Sequence, residues 1–267
     1  MAVTAADVKK LREETDAPMM ECKAALDEAN GDYARAKEIL REKGQAAAGK
    51  KAGRATGAGV VAFALSEDGR KAGAVVVESE TDFVSKNEGF VAAAKAIAEE
   101  VLAKGVEGVD LAARAAEIVA TFRENVVVAQ AYVLESANPI ATYVHFDNSK
   151  GAAVFTSGEN NPEASRKVAI HSVAFPPLAV KKDDLPKEKL DQEYEIELQR
   201  ALNEGKPENI AKNIAQGRVN KEFIKAVVLL EQPFYADQSK TVGQFLAENA
   251  KGTTIDGFKY LAIGQTS

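Results

Sequence analysis

Reactive side chains are scarce in this chain. Its 267 residues include one cysteine, Cys22, and two histidines, His145 and His171. A lone cysteine closes no internal disulfide, which suits a reducing compartment and makes the cytoplasm the default location. Neither histidine stands in an HExxH pair or beside the cysteine, so no metal site is expected. The nucleophile signature GxSxG is missing. The glycines of GKKAGRATGAG (49–59) neither spell GxxxxGK[ST] nor open a helix after a strand, so they make no phosphate cradle. No apolar run approaches the ~18 residues that would span a bilayer, and MAVTAADVKKLREE carries charges where a secretory signal needs its apolar stretch. Positive charge is not in excess either. The 34 Lys and Arg against 40 Asp and Glu leave a net charge of −6, which repels phosphate backbones. Membrane, cofactor and direct nucleic-acid contacts are therefore not expected, and an enzyme survives only as a hydrolase whose paired carboxylates no spacing can reveal.

What is present reads as an ordinary globular chain, 46% apolar and 28% charged, and longer than the ~100–200 residues of one domain. Residues 1–45 carry three short helical patterns. Thr4 and Asp7 form a capping signal ahead of Val8 and Leu11, and Thr15-Asp16 interrupts that stripe. Pro18 opens the second pattern, with Met19, Cys22 and Leu26 on one face, where a small buried hydrophobe explains the cysteine. Asp32 caps the third, with Tyr33, Ala36 and Leu40 on its stripe and Gly44 at its end. Residues 46–59 hold Gly, Ala, Lys50, Lys51 and Arg54 without a bulky apolar side chain, and read as a solvated linker.

From Val60 the period becomes two. VVAFAL and AGAVVVES flank Asp68-Gly69, a strong hairpin signal. Helical patterns follow near 87–104 and 111–122, then the β-rich VVVAQAYVL (126–134). The plan recurs with ATYVHF (141–146), a turn at 147–151, AAVFTS, and a helix opened by Asn161-Pro162. Pro186 to Asn203 and Pro207 to Val219 read as an antiparallel helical hairpin turning at Glu204-Gly205-Lys206, with Leu190, Tyr194, Leu198 and Ala201 facing Ile210, Ile214 and Val219. A helix over 242–249, capped by Ser239 or Thr241, and a last strand through GFKYLAI complete the chain. The expected fold class is α+β: a three-helix N-terminal module, then two related α+β core subdomains (60–137, and 138–182 with 226–267). The second is interrupted by a coiled-coil hairpin (183–225), at which two copies could also pair.

Ser79 to Lys86 fits a core reading poorly. It sets Phe83 beside Asp82 in a strand-to-helix connection, where rigid elements commonly hold functional loops. Thr81 or Asp82 could equally cap a helix, with Phe83 as a hydrophobic staple.

ETDFVSKNEGF (80–90) resembles the TDFV motif of the elongation factor Ts family. LREETDAPMMECKAALDEANGDYARAKEILREKG (11–44) resembles that family's N-terminal module, similar to a ubiquitin-associated domain. GKPENIAKNIAQGRV (205–219) resembles its coiled-coil hairpin, and QPFYADQSKTVGQFL (232–246) its C-terminal segment. The resemblances run in family order across nearly the whole chain. They imply a guanine-nucleotide exchange factor that binds elongation factor Tu with GDP and releases the nucleotide without covalent chemistry. In Thr81-Asp82-Phe83-Val84, Phe83 would wedge between helices of the GTPase and Asp82 would act near its Mg²⁺ site. Lys9, Arg12, Met19 and Met20 match the module's contact surface, although Met19 also fits the module's core stripe and Met20 is the better candidate for exposure. His145 matches a histidine near the partner's phosphate-binding loop, and is as readily a pleated-surface histidine. Arg123-Glu124-Asn125 followed by VVVAQ departs from the family pattern, which leaves the role of 123–130 open. The chain also lacks the extra C-terminal helical module of longer relatives. A helical adaptor that binds another protein through its N-terminal module is the alternative class.

Overall fold

The computed structural model describes residues 3–15 and 17–265. Helices α1 (Ala5–Thr15), α2 (Met19–Glu28) and α3 (Tyr33–Lys51) come first. Thr4 and Asp7 cap α1 reciprocally, Asp7 N–H donating to Thr4 Oγ1 at 3.2 Å and Thr4 N–H to Asp7 Oδ2 at 3.0 Å. Asp16, expected to help break this helix, lies outside the described residues. Asp32 caps α3 through the Arg35 N–H. Val8, Leu11, Cys22, Leu26, Ala36 and Leu40 gather in one small core.

The third helix does not end at Gly44, and residues 46–51 are its last turns rather than linker. Gly44 serves close packing instead. A Cβ there would sit 2.9 Å from Ala120 Cβ, so α3 is pressed against a later helix at a point where only glycine fits. The Ala-rich stretch that followed the glycine is good helix former once such a neighbour is present.

Strands β1 (Ala58–Leu65) and β2 (Lys71–Ser79) make the expected hairpin. The one-turn helix α4 (Asp82–Ser85), α5 (Glu88–Lys104) and α6 (Leu111–Phe122) follow, and β3 (Val126–Glu135) returns to pair with β2. The second half repeats this plan. Strands β4 (Ala141–Val144) and β5 (Lys150–Gly158) pair, α7 (Pro162–Ala174) follows, and the last strand joins β5 after a long excursion. That excursion is the helical hairpin α8 (Lys187–Asn203) and α9 (Glu208–Arg218), α10 (Ile224–Val227), a small ribbon β6 (Pro233–Phe234) and β7 (Asp237–Thr241), and α11 (Val242–Asn249). Strand β8 (Thr253–Ala262) closes the sheet. Both three-stranded sheets are antiparallel with the hairpin's second strand at the centre, and both carry a register shift there, at Val76/Val77 and Phe155/Thr156.

The mixed helix and sheet content matches the expected α+β class. The layers run helices, sheet, sheet, helices. Alternate residues of β1 and β2, among them Val60, Val75 and Val77, pack under α5 and α6, while Val61, Ala72, Ala74 and Val76 meet Ala153 and Leu261 of the second sheet. Strand β2 is thus covered on both faces, which explains its unbroken apolar run. The outer face of the second sheet packs Val154 and Ile255 against α7 and α11.

In the helical hairpin, Ala201 and Val219 are buried as expected, but Ile210 is 46% exposed. Ala211 and Ala215 take the seam in its place, small side chains that let the two helices close up. The buried Glu197 lies among them, its oxygens 3.3 Å from Arg200 and 3.2 Å from Arg218. A charge buried in this way needs such partners.

Candidate partner-binding site

Strand β2 ends at the buried Ser79, whose hydroxyl donates to the Thr81 carbonyl at 3.1 Å. The chain then makes the single turn of α4, held by Lys86 N–H to the Asp82 carbonyl and Asn87 N–H to the Val84 carbonyl, both 3.0 Å. Asn87 caps α5 by accepting from Gly89 N–H. Within the turn Val84 packs against the core below α5, whereas Phe83 points away and is 85% exposed. The staple reading of Phe83 is therefore overturned. Leaving that ring in water forgoes roughly 1.5–3 kcal/mol of burial free energy in the isolated chain. Asp82 bonds Lys86 at 2.6 Å, and this partner holds the Asp82 carboxyl below the ordinary carboxylate range.

Thr81 occupies the N-cap position of α4, yet neither it nor Asp82 caps the helix through its side chain. The Thr81 side chain is drawn elsewhere. Its hydroxyl donates to Glu124 Oε1 at 2.5 Å, and the Thr81 backbone N–H donates to Glu124 Oε2 at 2.9 Å. In return, Glu80 accepts from Asn125 N–H at 2.6 Å and lies 3.4 Å from Arg54 Nη1. The Asn125 N–H, with the Arg54 guanidinium alongside, holds the Glu80 carboxyl low. Asn125 also donates from Nδ2 to the Arg54 carbonyl at 2.7 Å. Arg54 is therefore part of this network rather than a solvated linker cation, and Lys51 likewise donates to the Arg123 carbonyl.

Residues 123–125, whose role the sequence left open, thus underpin the turn. Arg123 ends α6 in the left-handed region at φ 63° and pairs with Glu21 in the first turn of α2. The signal available in the sequence was a polar triplet at a helix-to-strand junction, but nothing local names its partner more than forty residues upstream.

Met19 and Met20 immediately precede Glu21, and both are exposed, at 51% and 74%. Met19 is accordingly not part of the module's core. Glu21–Arg123 thus links the methionine end of α2 to the residue preceding Glu124. Lys9 and Arg12 are exposed on α1, where Lys9 faces Glu13 at 3.6 Å. Arg12 borders a groove of about 630 Å³ between the N-terminal helices and α5–α6, with Lys37, Arg41 and Glu117. His145 belongs to the other sheet. Strand β4 stops before it, and its N–H donates to the Lys150 carbonyl at 2.9 Å. Its Nδ1 lies 3.4 Å from the Tyr143 hydroxyl. Beside it stands Phe146, 87% exposed, which the strand pattern over 141–146 had hidden.

Elsewhere the polar interior is structural. The buried His171 accepts at Nδ1 from Tyr235 N–H at 3.2 Å, so its Nε2 donates to Gln232 Oε1 at 3.0 Å, and burial lowers the imidazole's pKa. Cys22 Sγ is buried and donates to the Ala17 carbonyl. Among the described residues, no three His, Cys, Asp or Glu side chains cluster as a metal site, and no helix is long and apolar enough to cross a membrane.

Fold and site together define a two-sheet α+β protein that presents an aromatic–acid turn, braced from a second chain segment, on its surface. The family profile described as Elongation factor TS matches residues 80–265. The elongation factor Ts of Nitratidesulfovibrio vulgaris (strain DP4) is 40% identical over 263 residues, covering 94% of this chain and 91% of the relative. That of Photorhabdus laumondii is 40% identical over 268 residues, covering 98% and 93%, and that of Thiobacillus denitrificans 38% identical over 276 residues, covering 98% and 92%. The chain belongs to the elongation factor Ts family.

Proposed function

We propose that this chain is a guanine-nucleotide exchange factor for elongation factor Tu. It binds the GDP form in the cytoplasm, displaces Mg²⁺ and releases GDP so that GTP can bind. The observation that carries this reading is Phe83, exposed at the tip of a turn that is bonded to the α6–β3 junction through Thr81–Glu124 and Glu80–Asn125. A rigidly presented aromatic with an adjacent carboxylate suits insertion between packed helices of a partner. A nucleotide held by a phosphate-binding loop and Mg²⁺ depends on the cation, so a side chain that disturbs the cation's ligands weakens phosphate binding.

Exchange needs no covalent step. A factor that binds the empty GTPase more tightly than the GDP form must weaken GDP by the same ratio. Met19 and Met20, exposed and adaptable, extend the contact from α2, and Lys9, Arg12 and His145 are further contacts. Release of fluorescent GDP from elongation factor Tu should accelerate strongly when this protein is added. Unchanged release would refute the reading.

A further inference from the structure

We infer that Glu124 is a positioning residue for exchange, holding Thr81 so that Asp82 and Phe83 meet the partner already in their working arrangement. The inference rests on the exchange reading of the turn. Glu124 lies between α6 and β3, with both carboxylate oxygens engaged by Thr81, one by the backbone N–H and one by the hydroxyl. Those two bonds hold the N-cap residue of α4, one through its backbone and one through its side chain. Within the turn, Lys86 N–H and Asn87 N–H close the backbone and Val84 anchors it to the core, but its N-cap residue makes no side-chain cap bond and the ring at its tip is left exposed.

The brace is reciprocal. Glu124 of the second segment holds the first at Thr81, and Glu80 of the first holds the second at Asn125 N–H. Two peptide segments cross-linked by two carboxylates in opposite directions resist sliding as well as separation. Arg123, one residue away, is tied to Glu21, so the same junction fixes the exposed methionine end of α2. Presenting an aromatic pre-ordered avoids the entropy of ordering it during the encounter.

Conservative chemistry separates positioning from charge. In Glu124→Gln, the amide oxygen can accept from Thr81 N–H while the amide nitrogen donates to Thr81 Oγ1, whose hydroxyl hydrogen turns away. Both bonds survive without the charge. Glu124→Ala loses both, and Thr81→Val loses only the hydroxyl's.

The chain has no tryptophan, so Phe83→Trp places a single reporter at the tip. In the free protein, time-resolved anisotropy of that reporter should show added nanosecond motion in the Glu124→Ala background, less in Thr81→Val, and none in Glu124→Gln. With Phe83 restored, Glu124→Ala should lower the maximal rate of GDP release about tenfold, with little change in the half-saturating concentration, and Glu124→Gln should restore most of it. Unchanged reporter motion in both Glu124→Ala and Thr81→Val overturns the inference. So does a Glu124→Gln protein that exchanges as poorly as Glu124→Ala while its reporter stays ordered, because the charge would then be acting directly. If Glu124→Ala does not fold, Thr81→Val and Glu124→Gln decide by the same readings. If Phe83→Ala leaves release unchanged, the exchange reading fails, while the anisotropy still judges the brace.

Discussion

Two turns in this molecule expose a phenylalanine almost completely, and they are built in different ways. The turn at Phe83 is held from outside, by Glu124 and Asn125 at the junction of α6 and β3. The turn at Phe146 holds itself. Asp147 accepts from the N–H and hydroxyl of Ser149, and Asn148, at φ 58°, donates its N–H to the His145 carbonyl. Its remaining contacts use backbone, with the Asn148 carbonyl accepting from Val61 N–H and the Ser149 carbonyl from Ile263 N–H. The first turn therefore depends on side chains of a distant segment as well as on its own backbone bonds. The second depends on its own Asp147 side chain, on backbone turn bonds and on the seam between the sheets.

The largest effect should come from the first turn. Phe83→Ala should slow GDP release roughly thirtyfold or more, the loss of ~2 kcal/mol or more that a hot-spot aromatic produces. Its unfolding free energy should stay within ~0.5 kcal/mol of the parent, because the ring is almost wholly exposed. A large loss of stability would return Phe83 to the role of staple and remove the contrast between the turns.

Next is Gly44→Leu, aimed at what supports the brace. The added side chain meets Ala120 on α6, the helix that ends at Arg123. Overpacking there should cost about 1–3 kcal/mol in chemical denaturation. Exchange should fall as well, while hydrogen exchange at 145–149 stays as in the parent. If stability is unchanged, α3 and α6 are not pressed together as described.

Asn148→Val tests the converse. A β-branched residue in the left-handed region should cost about 1–2 kcal/mol, read as a lower unfolding midpoint. Hydrogen exchange at 80–87 should not respond. A response there would mean that the two turns share a support.

The contrast also explains what could be read from the chain beforehand. Periodicity and local capping carried most elements, since Asp68-Gly69, Asn161-Pro162 and the cap of α11, left open between Ser239 and Thr241 and taken by Thr241, each act within a few residues. The self-held turn at Asp147-Asn148-Ser149 was visible for the same reason. Failures occurred where a distant partner decides. Gly44 looked like a helix stop because its neighbour Ala120 lies in a later helix, and Ile210 looked like a seam residue from its apolar side chain alone, whereas the facing helix is met by Ala211 and Ala215. Asp82 and Phe83 stood out as an acid–aromatic pair in a connecting loop. Glu124 did not, because a carboxylate whose two acceptors meet one threonine is indistinguishable in sequence from one facing water.

The smallest effect should belong to Phe146→Ala. This ring is as exposed as Phe83, with the His145 ring 4.6 Å away, but its neighbouring carboxylate, Asp147, is taken up by Ser149 inside the turn, and no helical turn carries the pair as α4 carries Asp82 and Phe83. Exposure alone does not make an energetic centre, since most residues at an interface cost less than ~1 kcal/mol when truncated. Release should therefore slow by less than about fivefold, and thermal unfolding should be unchanged. A loss as large as that of Phe83→Ala would make the second turn an equal contact. The helix wedge would then be one of two, and the external brace would no longer mark the side chain that matters most.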